Sequence, residues 1–190
     1  MNARGNDRLN LTLIASACAL LMVLPLVTTF DDFLTGWALQ LGADNPLQAI
    51  VPTEARMVVG LLTVIGIHAS AAGSDILVWD RDGYMHRMLI SWNCIGWQSL
   101  VLLGVSFLTG LRRGQPLESR AQVIVIGVAG TMLLNLLRVA AVAALAATWG
   151  QTPALLFHDY GGTLLVIGWL FAFWAFAQRW ILPADPSVEA

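Results

Sequence analysis

The chain has 190 residues, 57% hydrophobic and 12% charged, with a mean hydropathy of +0.71 and a net charge of −2. Soluble domains carry about 25% charged residues, so this chain has too little polar surface to cover a soluble globule. It also lacks the basic charge that nucleic-acid binding requires, and its two cysteines, Cys18 and Cys94, stand far apart outside any CxxC pairing, which argues against a disulfide scaffold or a zinc site.

Arg4 and Arg8 precede an apolar run over residues 11–30, which is of membrane-spanning length. The apolar stretch ahead of Ala15-Ser16-Ala17-Cys18 is too short for a signal-peptide core, so an uncleaved membrane helix is expected. Residues 31–54 are mixed. Positions 33–41 are amphipathic, 42–46 break the pattern, and Thr53 is a candidate N-cap for the helix that follows. Residues 57–72 are apolar but short for a crossing. The pattern then changes: Ile76-Leu77-Val78-Trp79 is a β-type run, Asp82-Gly83 is a hairpin-turn signal, and 84–89 is the returning strand. Three further spans are predicted at 92–111, 121–149 and 160–182, followed by a short polar tail, 183–190.

The expected fold is a single-domain, all-α integral membrane bundle of about five or six membrane helices. A small outward-facing β-hairpin is expected just before Cys94. Arg112, Arg113 and Arg120 crowd one short loop, which places that loop and Arg179 on the cytoplasmic side. The segments after Gly73 and after Trp149 then face outward, in a multi-pass protein of the plasma membrane. Arg4 and Arg8 favour a cytoplasmic N-terminus, which five crossings do not allow. Either 57–72 lies along the outer surface or dips only partway into the bilayer, or 33–51 adds a weak crossing.

Ionisable and nucleophilic groups inside such a frame are functional candidates by default. Cys94 stands 18 residues before Arg112, and Arg138 stands 18 residues after Arg120. At the α-helical rise both lie roughly 27 Å from the arginine belt. His158 is 21 residues before Arg179, or roughly 31 Å. Three helices thus bring a thiol, a guanidinium and an imidazole to one level. An imidazole can take the proton of a thiol and return it to a leaving amine, and a fixed Arg can stabilise a tetrahedral oxyanion. The set describes acyl transfer through a thioester. Gln98, at i+4 from Cys94, and Asn135, at i−3 from Arg138, are expected on the same helix faces as supporting groups, and Asp159 adjoins the histidine. Gly161 and Gly162 permit close helix approach beneath it. His68 and His86 carry no assigned role, and no metal or cofactor is expected. Two other readings remain open on these residues: a non-enzymatic membrane subunit or assembly factor, and a b-type haem protein with His68 and His158 as axial ligands.

Ser91-Trp92-Asn93-Cys94-Ile95-Gly96 resembles the cysteine motif of the exosortase/archaeosortase family. Asn135-Leu136-Leu137-Arg138 is similar to its Asn-x-x-Arg motif, and His158-Asp159-Tyr160-Gly161-Gly162 to its histidine motif. The resemblance covers about residues 53–180, a catalytic core in which Cys, Arg and His follow in family order. Ile95 stands where the family usually has Ser. The resemblance implies a membrane cysteine transpeptidase with Cys94, Arg138 and His158 as its catalytic residues. Its implied substrates are secreted proteins with a C-terminal sorting signal, a membrane helix followed by a basic tail, which it passes to a lipid or surface amine.

Overall fold

The computed structural model describes residues 32–42, 44–112 and 114–182. The expected span 11–30, with Cys18, and the tail 183–190 lie outside the described residues. The chain divides into two compact units, Met1–Gly42 and Ala43–Ala190. In the first, α1 (residues 32–40) buries Leu34 and Ala38, one helical turn apart, and leaves Phe33 and Trp37 exposed. That is the expected amphipathic pattern.

The second unit holds the site. Its elements in order are α2 (Asp44–Gln48), α3 (Val51–Val64), β1 (Ala69–Ala72), β2 (Asp75–Trp79), β3 (Met85–Leu89), a 3₁₀ turn (Trp92–Ile95), α4 (Trp97–Gly110), α5 (Leu117–Trp149), α6 (Gln151–Leu156), a π-turn (Phe157–Gly161) and α7 (Gly162–Trp180). Among the described residues three helical segments are long and apolar enough to cross a membrane: Pro46–Val64, Leu117–Trp149 and Gln151–Trp180. Trp97–Gly110 is a shorter apolar helix.

The helix α5 organises the unit. Its 33 residues extend roughly 50 Å, and its two halves pack against different partners. Toward its N-terminus, Val123 joins Leu103 of α4 and Phe173 and Ala177 of α7 in one core. Gly127 and Gly130 leave room there for the rings of Phe107, Phe173 and Trp169, and Trp169 Nε1 donates to Thr131 Oγ1 at 2.9 Å. Lipid tails give no hydrophobic drive between helices, so close approach at small residues and interhelical hydrogen bonds hold this end together. Toward the C-terminus, Val139, Ala140, Ala143 and Ala147 pack on Val51, Ala55, Val58 and Leu62 of α3 and on Ile76 and Val78 of β2. The α3 residues recur at helical spacing and form its buried stripe.

The sheet is an antiparallel meander in the order β1-β2-β3. β2 and β3 form the expected hairpin, in register from Asp75↔Leu89 to Trp79↔Met85. Ile76 and Val78 face the core, as alternation requires. The third strand, β1, pairs Ala69–Ala72 with Val78–Asp75 and was not expected. The helix predicted at 57–72 therefore runs over Val51–Val64, and its last residues are strand. Thr53 does not cap it: the N-cap is Ile50, without a side-chain cap, and Pro52 sits in the first turn, where its missing N–H costs nothing.

Asp80 ties the hairpin tip. Its Oδ1 accepts from the Asp82 and Tyr84 amides, both at 2.9 Å, and its Oδ2 lies 3.2 Å from His86 Nε2. Desolvation pushes the Asp80 carboxyl upward. The Tyr84 amide, His86 and the Asp82 amide outweigh it and leave the pKa below the usual value. Such a group stabilises the fold above its unfolded pKa, and the contribution is lost as pH falls through the folded one. Asp80→Ala is accordingly expected to speed hydrogen exchange at the Asp82 and Tyr84 amides. In the wild type their protection should persist at neutral pH and fall in acid, below about pH 4. Wild-type protection in the variant would remove Asp80 as the tie.

Candidate active site

Cys94 lies in the 3₁₀ turn Trp92–Ile95 between the sheet and α4, not in a helix that begins at Trp92. Gly96 ends the turn in the left-handed region, φ +82°, which separates Cys94 from α4. A side chain at position 96 would also collide with Asn135, whose Cγ is 2.6 Å from where a Cβ would stand. The turn and α5 therefore touch at a position that only glycine satisfies. The turn is held from several sides. The Cys94 amide donates to the Ser91 carbonyl at 2.9 Å, and the Trp92 amide to Gln48 Oε1 at 3.0 Å. Trp92 stacks on Trp97 at 5.8 Å between ring centroids.

Asn135, buried on α5, spends its amide on this turn. Its Nδ2 donates to the Cys94 carbonyl at 2.7 Å and to Glu54 Oε1 of α3 at 2.9 Å. Its side chain is thus committed to Cys94 and Glu54, and the expected pairing with Arg138 on one helix face is not what the amide serves. Gln98 is likewise redirected. The break at Gly96 removes the i+4 relation to Cys94, and Gln98 Nε2 instead approaches Asn93 Oδ1 at 3.4 Å.

His158 and Asp159 do not precede the last helix. They sit inside a continuous helical segment, in the π-turn between α6 and α7. A π-turn widens the helix by one residue and shifts the side chains it carries; such turns are frequent at functional sites. His158 Nδ1 lies 3.0 Å from Asp159 Oδ1, and the imidazole is close enough to the Cys94 thiol to favour its ionised form. Arg138 Nη2 donates to the His158 backbone carbonyl at 3.4 Å. Gly162 accommodates the guanidinium, since a Cβ there would land on Arg138 Nε. Gly161 instead faces Phe157 of its own turn, so only one glycine of the pair makes the interhelical approach. Cys94, Arg138 and His158 are thereby gathered from three elements, with Asn135 and Asp159 around them.

The thiol environment favours ionisation. Burial alone raises the Cys94 pKa, but hydrogen bonds from His158 and from the Ser91 backbone and hydroxyl, with the His158 charge, outweigh burial and leave it below the ordinary thiol value. Ser91 Oγ is 3.7 Å from Cys94 Sγ. In a Cys18→Ala background, His158→Ala is expected to slow alkylation of Cys94 by iodoacetamide at neutral pH about tenfold, the scale of one charge-assisted hydrogen bond. The pH midpoint of the reaction should rise, because burial then acts with less opposition. An unchanged rate and midpoint would remove His158 as the partner that activates the thiol.

Two groups at the site were not expected from the sequence. Glu54 is buried, and neither its Oε2 nor the buried Arg138 Nε has a hydrogen-bond partner among the described residues. Gln48, which also donates to Ser74 Oγ at 3.1 Å, links α2, the β1–β2 turn and the cysteine turn. The His68 ring packs edge-on against Trp79 at 6.0 Å, and His158 Nδ1 faces Asp159. No cluster of His, Cys, Asp or Glu among the described residues has a metal-binding arrangement.

A family model described as transmembrane exosortase matches residues 3–175. No curated protein and no solved structure matches the chain.

Proposed function

The chain belongs to the transmembrane exosortase family, and from that premise we propose that it is a membrane-embedded cysteine transpeptidase with Cys94 as nucleophile. Its substrates are secreted proteins with a C-terminal sorting signal: a short motif, a membrane helix and a basic tail. The observation that carries the reading is the assembly around His158: its imidazole favours ionisation of the Cys94 thiol, Asp159 lies against its Nδ1, and Arg138 donates to its carbonyl.

In the proposed reaction His158 takes the Cys94 proton as the sulfur attacks the scissile carbonyl. The C–S bond forms, and the carbonyl electron pair moves onto oxygen, where the Arg138 guanidinium stabilises it. Collapse breaks the C–N bond, and His158 returns its proton to the leaving amine. The thioester is then attacked by a lipid or surface amine, whose proton passes to His158 and then to the departing Cys94 thiolate. Asp159 holds the imidazole in the tautomer this requires. The basic loop beyond α4 marks the cytoplasmic side in this proposal, so the site opens toward the outer face of the plasma membrane, where secreted substrates emerge.

The test is co-expression with a secreted reporter that carries such a signal. Cleavage at the signal that depends on the chain supports the reading. A reporter that stays intact beside abundant, membrane-inserted protein, across a panel of signal motifs, overturns it.

A further inference from the structure

Glu54 is a buried ionisable group that the proposed reaction does not use. It lies on the apolar stripe of α3 among Val51, Ala55 and Val58, and is only 6% exposed. A carboxyl group there costs stability relative to an apolar side chain of the same size, since burial strips its water and Oε2 gains no hydrogen-bond partner among the described residues. Among the described residues its side chain accepts a hydrogen bond from Asn135, across 81 positions of sequence. The same Asn135 nitrogen then grips the carbonyl of Cys94. An amide NH₂ has two hydrogens, and both are committed here: one is anchored on α3, the other holds the turn that carries the thiol.

We infer that Glu54 is a positioning residue for the nucleophile, acting through Asn135 to fix the Cys94 carbonyl and with it the direction of the thiol toward His158. Its catalytic meaning rests on the assignment of Cys94 as nucleophile; its mechanical meaning does not. Three features make the link a defined one. Asn135 is buried, so its amide has no water to turn to. Gly96 leaves no clearance between the turn and Asn135, so a shift of the amide is passed directly to the turn. The Cys94 amide is already bound to Ser91, so its carbonyl is the remaining handle on that residue's backbone. Without the Glu54 acceptor the Asn135 side chain is free to rotate, and the carbonyl it holds is released with it.

The test reads the Cys94 thiol by iodoacetamide alkylation at neutral pH, in full-length membrane-inserted protein on a Cys18→Ala background. Glu54→Met keeps the volume but has no hydrogen-bond acceptor of comparable strength. It is expected to slow alkylation about tenfold, the scale on which loss of one buried hydrogen bond acts. Glu54→Gln retains an acceptor oxygen and is expected to restore most of the rate. The double variant Glu54→Met/Asn135→Ala should be no slower than Asn135→Ala alone, because the two residues act in series. A filler role predicts instead that Met serves as well as Glu. Wild-type reactivity in Glu54→Met, or fully additive effects of the two substitutions, overturns the inference. Should Glu54→Met fail to insert, Glu54→Asp, which withdraws the acceptor by one methylene, carries the same comparison and the same expected loss. If the two sites are coupled in alkylation while no sorting signal ever acylates Cys94, the positioning role stands and the transpeptidase reading falls.

Discussion

Cys94→Ala is expected to abolish processing of a reporter that bears a C-terminal sorting signal, while the protein still inserts and accumulates. The substitution removes one sulfur atom and its 3.7 Å contact with Ser91 Oγ, and leaves the backbone of the turn in place. The contacts that shape it are made by the backbone: the Cys94 amide to Ser91, and the Cys94 carbonyl to Asn135. Gly96 and the Trp92–Trp97 stack are untouched. Folding and function are thus separable at this residue. Loss of a nucleophile costs on the order of 10⁴–10⁶ in rate, which a cellular assay reads as no product. Cys94→Ser should fail nearly as badly, since a hydroxyl needs far stronger activation than a thiol that already ionises below the ordinary range. The chain's other thiol, Cys18, lies in the N-terminal apolar run, and Cys18→Ala is expected to be close to neutral. Western blots of the reporter, with membrane fractionation of each variant, give the comparison. Full processing by Cys94→Ala would end the cysteine-transpeptidase reading, whatever the behaviour of the other residues.

Arg138→Lys is expected to insert normally and to lose about 10²–10³ in the rate of acylation, the scale of one missing oxyanion donor. Arg138 is half-buried, and its guanidinium is threaded against Gly162 with one nitrogen on the His158 carbonyl. A charge that merely reached for the membrane surface would be served equally by lysine, which keeps an apolar stem and a charged head. A planar fork that must bond the π-turn and still face a developing oxyanion is not served by a single ammonium on a longer arm. The oxyanion precedes the thioester, so the defect should appear already in the trapping of acyl-enzyme on Cys94 with a model sorting signal. Equal trapping rates in wild type and Arg138→Lys would reassign Arg138 to packing or to substrate binding. A defect in overall turnover with normal trapping would place its role after acylation.

How much of this was legible in the sequence depended on the range of the interaction that encodes it. The membrane frame is a property of long apolar runs, and composition alone states it. The hairpin is local too, because Asp82-Gly83 sets the turn between two β-type runs. Cys94, Arg138 and His158 could be singled out as candidates because residue counts from the arginines, along helices that two of the three share with one, put them at one expected level. The details of the site were not readable. Ala69-Ser70-Ala71-Ala72 has little strand propensity and becomes β1 only because β2 offers it a ladder. The stretch from Trp92 reads as an uninterrupted helix, but it breaks at Gly96, where the backbone is left-handed and Asn135 of another element leaves no room for a side chain. The π-turn leaves no mark on hydropathy, yet it carries His158 and Asp159. Glu54 reads as an ordinary acidic residue in the first turn of a helix. What the sequence by itself determined was therefore the frame, the turn and the candidates for the reacting groups, since each depends on neighbours along the chain. What only the tertiary structure decided was how the thiol is held. That depends on hydrogen bonds closing between residues 41 and 81 positions apart, which no local period or composition records.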